Sequence, residues 1–174
     1  PHFEAVWTHL SWNLSYNISV KFEAPEDRWK WVQRGIELIR DEALVYNPHE
    51  VALYQQLAWL FQHKLGANLD DAHLHYKAMW ANHMKGLLGF RPDWQALKNP
   101  QTDEDRERVR VLKEVYKLDP AVMEEVDLAY GPLEWRLPEA HAVYWAFLGL
   151  REVEARMQRD QKGLEIAKDK DFIT

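Results

Sequence analysis

The residues of this chain that could carry chemistry are its eight histidines and the carboxylates beside them. Asp70, Asp71, His73, His75 and His83 fall within one short stretch. A helix advances about 100° per residue, so His73 and His75 point roughly 200° apart and cannot chelate one ion from one face. Asp71 and His75 do share a face, as do Met79 and His83, but a thioether is a weak ligand for the common divalent ions. No HExxH and no Glu-x-x-His pair occurs. The carboxylate runs Asp41-Glu42, Asp103-Glu104-Asp105 and Glu124-Glu125 fall at helix starts or on polar faces, where they serve the helix dipole or the solvent. A catalytic carboxylate needs a partly buried setting, and nothing local supplies one. Ser11, Ser15 and Ser19 have no activating motif nearby. GxGxxG, GxxxxGK[ST] and GxSxG are absent. With no cysteine in 174 residues, disulfides, thiolate zinc sites and cysteine nucleophiles are excluded. The sequence therefore assigns no catalytic residue, no metal ligand and no cofactor.

Recognition is the remaining kind of function. Hydrophobic residues make up 47% and charged residues 29%, the balance of a chain with a real core. The net charge is −6, and Lys and Arg are interspersed with acids, so the basic stripe of a nucleic-acid binder is missing. No run approaches the ~18 apolar residues of a membrane span, and no signal-peptide pattern opens the sequence. Beginning at Pro1 and not at Met, the chain is expected to be a processed product or a fragment. Nine tryptophans, seven tyrosines and six phenylalanines are a heavy aromatic load, suited to cores and to interfaces alike.

The elements that must position these side chains read as helices punctuated by proline. Phe3, Val6, Trp7, Leu10 and Leu14 share one face of a first helix over 2–17 and are expected in the core. Tyr16–Phe22 is read as a loop. Pro25 opens a second helix, which turns Trp29, Val32, Ile36, Ile39 and Ala43 inward and ends before Asn47-Pro48. Pro48 opens a third, with Val51, Tyr54, Leu57, Ala58 and Phe61 on its stripe and Gly66 as its stop. Asp70 or Asn68 caps a fourth, running to about Lys85. The stretch 86–101 is irregular. Thr102 with Asp105 forms a capping box for a fifth helix over 103–118, and Asp119-Pro120 starts a short sixth to Tyr130. Pro138 starts a long final helix whose charged end, beyond Val153, is expected to fray. The domain thus spans 1–153, followed by a charged tail over 154–174.

A spacing recurs along this pattern. Pro1 precedes Trp7 by six residues, Pro48 precedes Tyr54 by six, and Pro138 precedes Tyr144 by six. Leu10, Leu57 and Phe147 follow three residues later, and Ser11 and Ala58 supply small residues next to the first two. Ala43 stands five residues before Pro48, while Ala72 and Tyr76 give a small residue and an aromatic on the fourth helix. This resembles the tetratricopeptide repeat (TPR), in which small residues let paired helices approach and an aromatic and a leucine fill the groove. The spacing from Pro1 to Pro48 is longer than the ~34 residues of that family, which implies an insertion before Pro25. The segments SWNLSYNISV and GPLEWRLPEAHAVYWA are also similar to uncharacterised bacterial helical-repeat proteins.

The resemblance implies an all-α fold of about three stacked helical hairpins, an α-solenoid serving as a non-catalytic protein–protein scaffold. First helices of such units line a concave groove. The groove residues implied here are Thr8, His9, Trp12, Asn13 and Asn17 in the first unit, and Gln55, Gln56 and Gln62 in the second. Trp31, Trp94 and Trp135 fall off the main stripes and form a second candidate recognition surface. The expected partner is a protein or peptide, in a bacterial cell envelope or cytoplasm. Two other readings stay open: a structural subunit that buries its aromatics in an assembly, and a small-molecule or metal binder using the Trp- and His-rich segment 59–83.

Overall fold

Capping side chains set four of the helix starts, and a computed structural model describes their outcome over residues 3–171, with side chains up to residue 162. The chain is all-α, with no strand among the described residues. Helix α1 (Glu4–Trp12) runs on through a π-helical stretch, Asn13–Ile18, and a 3-10 turn, Ser19–Lys21. Helix α2 (Pro25–Glu37) continues likewise through π-helical Leu38–Ala43 to Leu44–Tyr46. Helix α3 (Val51–Trp59) continues through π-helical Leu60–Gly66. Then come α4 (His73–Leu88), α5 (Trp94–Lys98), α6 (Asp103–Glu114), α7 (Pro120–Tyr130) and α8 (Pro138–Asp171).

The caps at Thr102 and Asp119 form as the sequence expects, accepting from the N–H groups of Asp105 and Ala121. Several boundaries differ. Residues 16–21 prolong α1 and do not loop out. Pro48 lies in a turn, and α3 begins at Val51, where the Glu50 carboxylate accepts from the Ala52 N–H. Asp93 caps a short α5 inside the stretch expected to be irregular. Helix α6 ends at Glu114, before the expected 118, because Lys117 takes a left-handed φ of 54° and the Leu118 N–H turns back to the Leu112 carbonyl. Helix α8 continues past Val153, since Ala, Glu, Arg, Gln and Lys are all good helix formers. Pro1 and His2, expected at the first helix start, lie outside the described residues.

Helices α1, α3 and α8 lie side by side. Helices α1 and α3 run parallel, with the Tyr16 ring against Trp59 and His63. Helix α8 runs antiparallel to α3. Glu139 meets Gly66, His141 meets Phe61, Gly149 meets Tyr54 and Glu152 meets His49. Beneath them α2 and α4 pack through Trp29 and Tyr76. Helices α5, α6 and α7 close the far side through the Lys98–Glu124 and Arg151–Glu125 ion pairs and the Arg108 bond to the Leu87 carbonyl. The fully buried centre is Leu53, Leu57, Phe61, Tyr76, Met84 and Tyr144.

Helices α1 and α3 share their bounds at a fixed offset. Helix α3 starts and changes from α to π geometry 47 residues after α1 does, and Tyr16 bonds His63 across the same separation. The helix at Pro138 departs from this, because its direction is opposite to that of α1 and α3.

Helix α1 corrects the sequence expectation most sharply. Its apolar stripe is not in the core: Phe3, Val6 and Leu10 are exposed, and Trp7 and Leu14 are half-buried. Ser11, Ser15 and Ser19 are fully buried instead. The cause is Gly35 on α2, which lets the two helices meet on their smallest residues. The Ser11 hydroxyl donates to the Gly35 carbonyl at 2.8 Å, and Ser19 donates to the Ser15 carbonyl at 2.6 Å. A Cβ on Gly35 would lie 2.0 Å from Ser15 Oγ and 2.9 Å from the Ser11 carbonyl oxygen. The hydroxyl can rotate away, but the carbonyl belongs to the backbone of α1. Gly35→Ala is therefore expected to destabilise the fold by about 1–3 kcal/mol, read as a lower urea midpoint at unchanged m.

Candidate functional site

The outer surface of α1, α3 and α8 carries the residues implicated by the sequence. Thr8, His9 and Trp12 of α1 converge with Gln56 and Trp59 of α3 on one open cavity of about 360 Å³. Aromatic rings run along this seam. His9 and Trp12 are 6.2 Å apart, Trp12 and Tyr16 6.1 Å, Tyr16 and Trp59 5.1 Å, and Trp59 and His63 4.6 Å. The Tyr16 hydroxyl bonds His63 Nδ1 at 2.9 Å. Asn13 and Asn17 stand nearby on α1, but their amides bond each other at 2.9 Å.

Gln55 and Gln62 lie on the other flank of α3, facing α8. Gln55 lines a cavity of about 290 Å³ with Val51, Ala58, Ala146, Gly149 and Leu150. Gln62 lines one of about 280 Å³ with Ala58, Ala142, Val143 and Glu139. Ala58 and Ala146 belong to both, so the two form one groove along the α3–α8 seam. Its floor is made of small residues, because α8 approaches α3 closely: a Cβ on Gly149 would stand 3.1 Å from the Tyr54 Cβ. The structure thus divides the implicated residues between an aromatic, polar seam at α1–α3 and an apolar groove at α3–α8.

Trp31, Trp94 and Trp135 do not form an exposed surface. Trp135 is only 1% exposed. Its indole N–H donates to Asp127 Oδ1 at 3.0 Å, and its ring packs edge-on against His141 and Tyr144. A tryptophan in a loop is buried here because a carboxylate meets its one polar atom. Trp94 is half-buried and donates to the other Asp127 oxygen at 3.2 Å. It borders a cavity of about 340 Å³ with Phe90, Pro92, Asp127 and Leu133. Trp31 is half-buried and stacks on Phe22.

A charged network beneath the α1–α3 seam leaves little trace in the sequence. Asp70 accepts from Arg28 at 3.0 Å, from Lys64 at 2.5 Å, from the Tyr76 hydroxyl at 3.2 Å and from the Ala72 N–H at 2.8 Å. The Lys64 side chain is 3% exposed and Asp70 7%. Burial alone would raise the Asp70 carboxyl. The hydrogen bonds from Lys64 and Ala72, with the Lys64 and Arg28 charges, outweigh it and hold the group below its ordinary range. Burial pushes the Lys64 ammonium down, with Asp70 pulling the other way. Burial and the Asp70 charge raise the Tyr16 and Tyr76 phenols, which stay neutral donors. The only sequence signal was Lys64 standing among Leu60, Phe61 and Leu65. Among the described residues no three of His, Cys, Asp and Glu come close enough to hold a metal ion.

Comparisons with protein families, with curated proteins and with solved structures find no match for this chain.

Proposed function

We propose that this chain is a TPR-like helical scaffold, non-catalytic, that holds a helical segment of a partner protein on the face formed by α1, α3 and α8. The supporting observation is the groove along the α3–α8 seam, floored by Ala58, Ala142, Ala146 and Gly149 and rimmed by Gln55, Gln62 and Leu150. Small residues leave room for the ridge of an incoming amphipathic helix, and the apolar floor rewards its burial. Gln55 and Gln62 can donate to and accept from the partner's polar flank. The aromatic seam at Trp12 and Trp59 lies on the opposite flank of α3, placed to stack on side chains at the partner's edge.

Peptides selected from a displayed library by the native chain provide the test. They are expected to gain helicity on binding and to lose at least tenfold in affinity against Ala146→Glu, whose charge projects into the groove. Trp12→Ala is expected to weaken binding less. Peptides that bind Ala146→Glu as tightly as the native chain would move recognition off this groove. A second reading, a subunit of a larger assembly, draws support from the exposed apolar face of α1.

A further inference from the structure

Helix α1 presents an apolar ridge that the described chain leaves open to solvent. Phe3 is 73% exposed, Val6 53% and Leu10 44%. With Trp7 these residues stand at i, i+3, i+4 and i+7 and line a notch of about 190 Å³ on the helix surface. Four side chains at that spacing form the hole that receives a knob from a facing helix. Trp7 stacks on Tyr46, with rings 6.3 Å apart, and Tyr46 is itself 57% exposed. The ridge therefore extends onto the end of α2.

We infer that two copies of this chain pair through the ridge, α1 against α1 and antiparallel across a two-fold axis, with Phe3 of each copy seated in the notch of the other. A closed contact of this kind lets one surface act as both knob and hole. Residues 3–20 contain no Lys or Arg, so the ridge lacks the cationic flank of a helix that lies on a membrane. At the ~150–250 Å² that a large side chain carries, the exposed fractions of Phe3, Val6, Leu10 and Tyr46 leave roughly 400 Å² of surface per copy. Two copies then bury at most about 800 Å², the range of weak, reversible dimers. Thr8, His9 and Trp12 turn toward the α1–α3 seam, so the pairing leaves the proposed partner groove free and stands independently of it.

Sedimentation of the native chain from micromolar to near-millimolar concentration tests this. A reversible monomer–dimer equilibrium is expected, with the dimer weakened at least tenfold by Val6→Glu and by Phe3→Ser. Phe3 precedes the first helical residue, so its variant reports on the ridge even if Val6→Glu disturbs α1. A monomer throughout the range would overturn the inference, as would a dimer equally tight in both variants. A chain that stays monomeric and floats with anionic phospholipid vesicles would overturn it too, and would assign the ridge to a membrane surface.

Discussion

Replacing Asp70 by alanine is expected to lower the stability of the fold by about 3–5 kcal/mol, the cost of leaving a buried charge without its partner. The stranded group is Lys64. Arg28 retains 16% side-chain exposure and can turn to water, whereas Lys64 retains 3% and is enclosed by α3 and the two tyrosine rings of Tyr16 and Tyr76. Asp70 also accepts from the Ala72 N–H in the turn just before α4, and loss of such a hydrogen bond costs about 1 kcal/mol. Two further variants separate these contributions. Lys64→Met keeps the Arg28–Asp70 bridge and the turn, and is expected to cost less than Asp70→Ala. The double variant Lys64→Met/Asp70→Ala removes the stranded charge and is expected to recover most of the loss in urea denaturation. If the double variant is no more stable than Asp70→Ala, the damage comes from the turn and from packing, and not from the charge. The pH sign follows from the depressed Asp70 carboxyl. Its contribution is present above the unfolded carboxyl value of about 3.9 and is lost as pH falls through the lower folded value.

Lys64 and Asp70 also mark the limit of what the sequence could reveal. Local signals were legible where one helix decides the outcome. Pro25 and the stripe Trp29, Val32, Ile36, Ile39 and Ala43 describe α2 correctly, and the caps at Thr102 and Asp119 form as their residue types require. Thr8, His9, Trp12 and Gln56 gather about one cavity because corresponding faces of two parallel helices meet. Side chains were misplaced wherever a second element decides. Which face of α1 turns inward depends on Gly35, twenty-four residues beyond Ser11, and a helical periodicity read alone prefers the leucines to the serines. Trp135, in a loop, is drawn inward by Asp127, eight residues upstream in α7. Gln55 and Gln62 were correctly placed on the surface of α3, but the groove they border exists only because α8 returns antiparallel across the seam. Asp70 read as a helix cap, but the N-cap of α4 is Ala72, and Asp70 only closes the turn before it by accepting from the Ala72 N–H. Its larger role appears only when α2, α3 and α4 bring Arg28, Lys64 and Tyr76 to it.

His141 is the other polar group that tertiary packing confines, and acid is expected to expose its cost. The imidazole is fully buried among Phe61, Trp80 and Trp135. Its Nε2 lies 2.8 Å from the Trp135 carbonyl, so that nitrogen carries the proton and donates it. Nδ1 then holds a lone pair with no hydrogen-bond partner among these apolar rings. Protonating it would place a charge and an unsatisfied N–H in the core. Burial accordingly pushes the imidazole down to about 4, against the pull of the Trp135 carbonyl. An unfolded histidine titrates near 6.5, so between about pH 6.5 and pH 4 the unfolded chain binds a proton that the folded chain does not. Stability must then fall as pH falls through that window, by about 3 kcal/mol in all, and this term levels off once the folded state protonates as well. Urea denaturation at several pH values should show the decline in the native chain. His141→Gln retains a donor for the Trp135 carbonyl and cannot titrate, so its stability is expected to stay flat across the same window, whatever its cost at neutral pH. An equal decline in both proteins would place the titrating group elsewhere. Because the Asp70 contribution is lost only at lower pH, acid should weaken the fold in two separable stages, first around α8 and then at the junction of α2, α3 and α4.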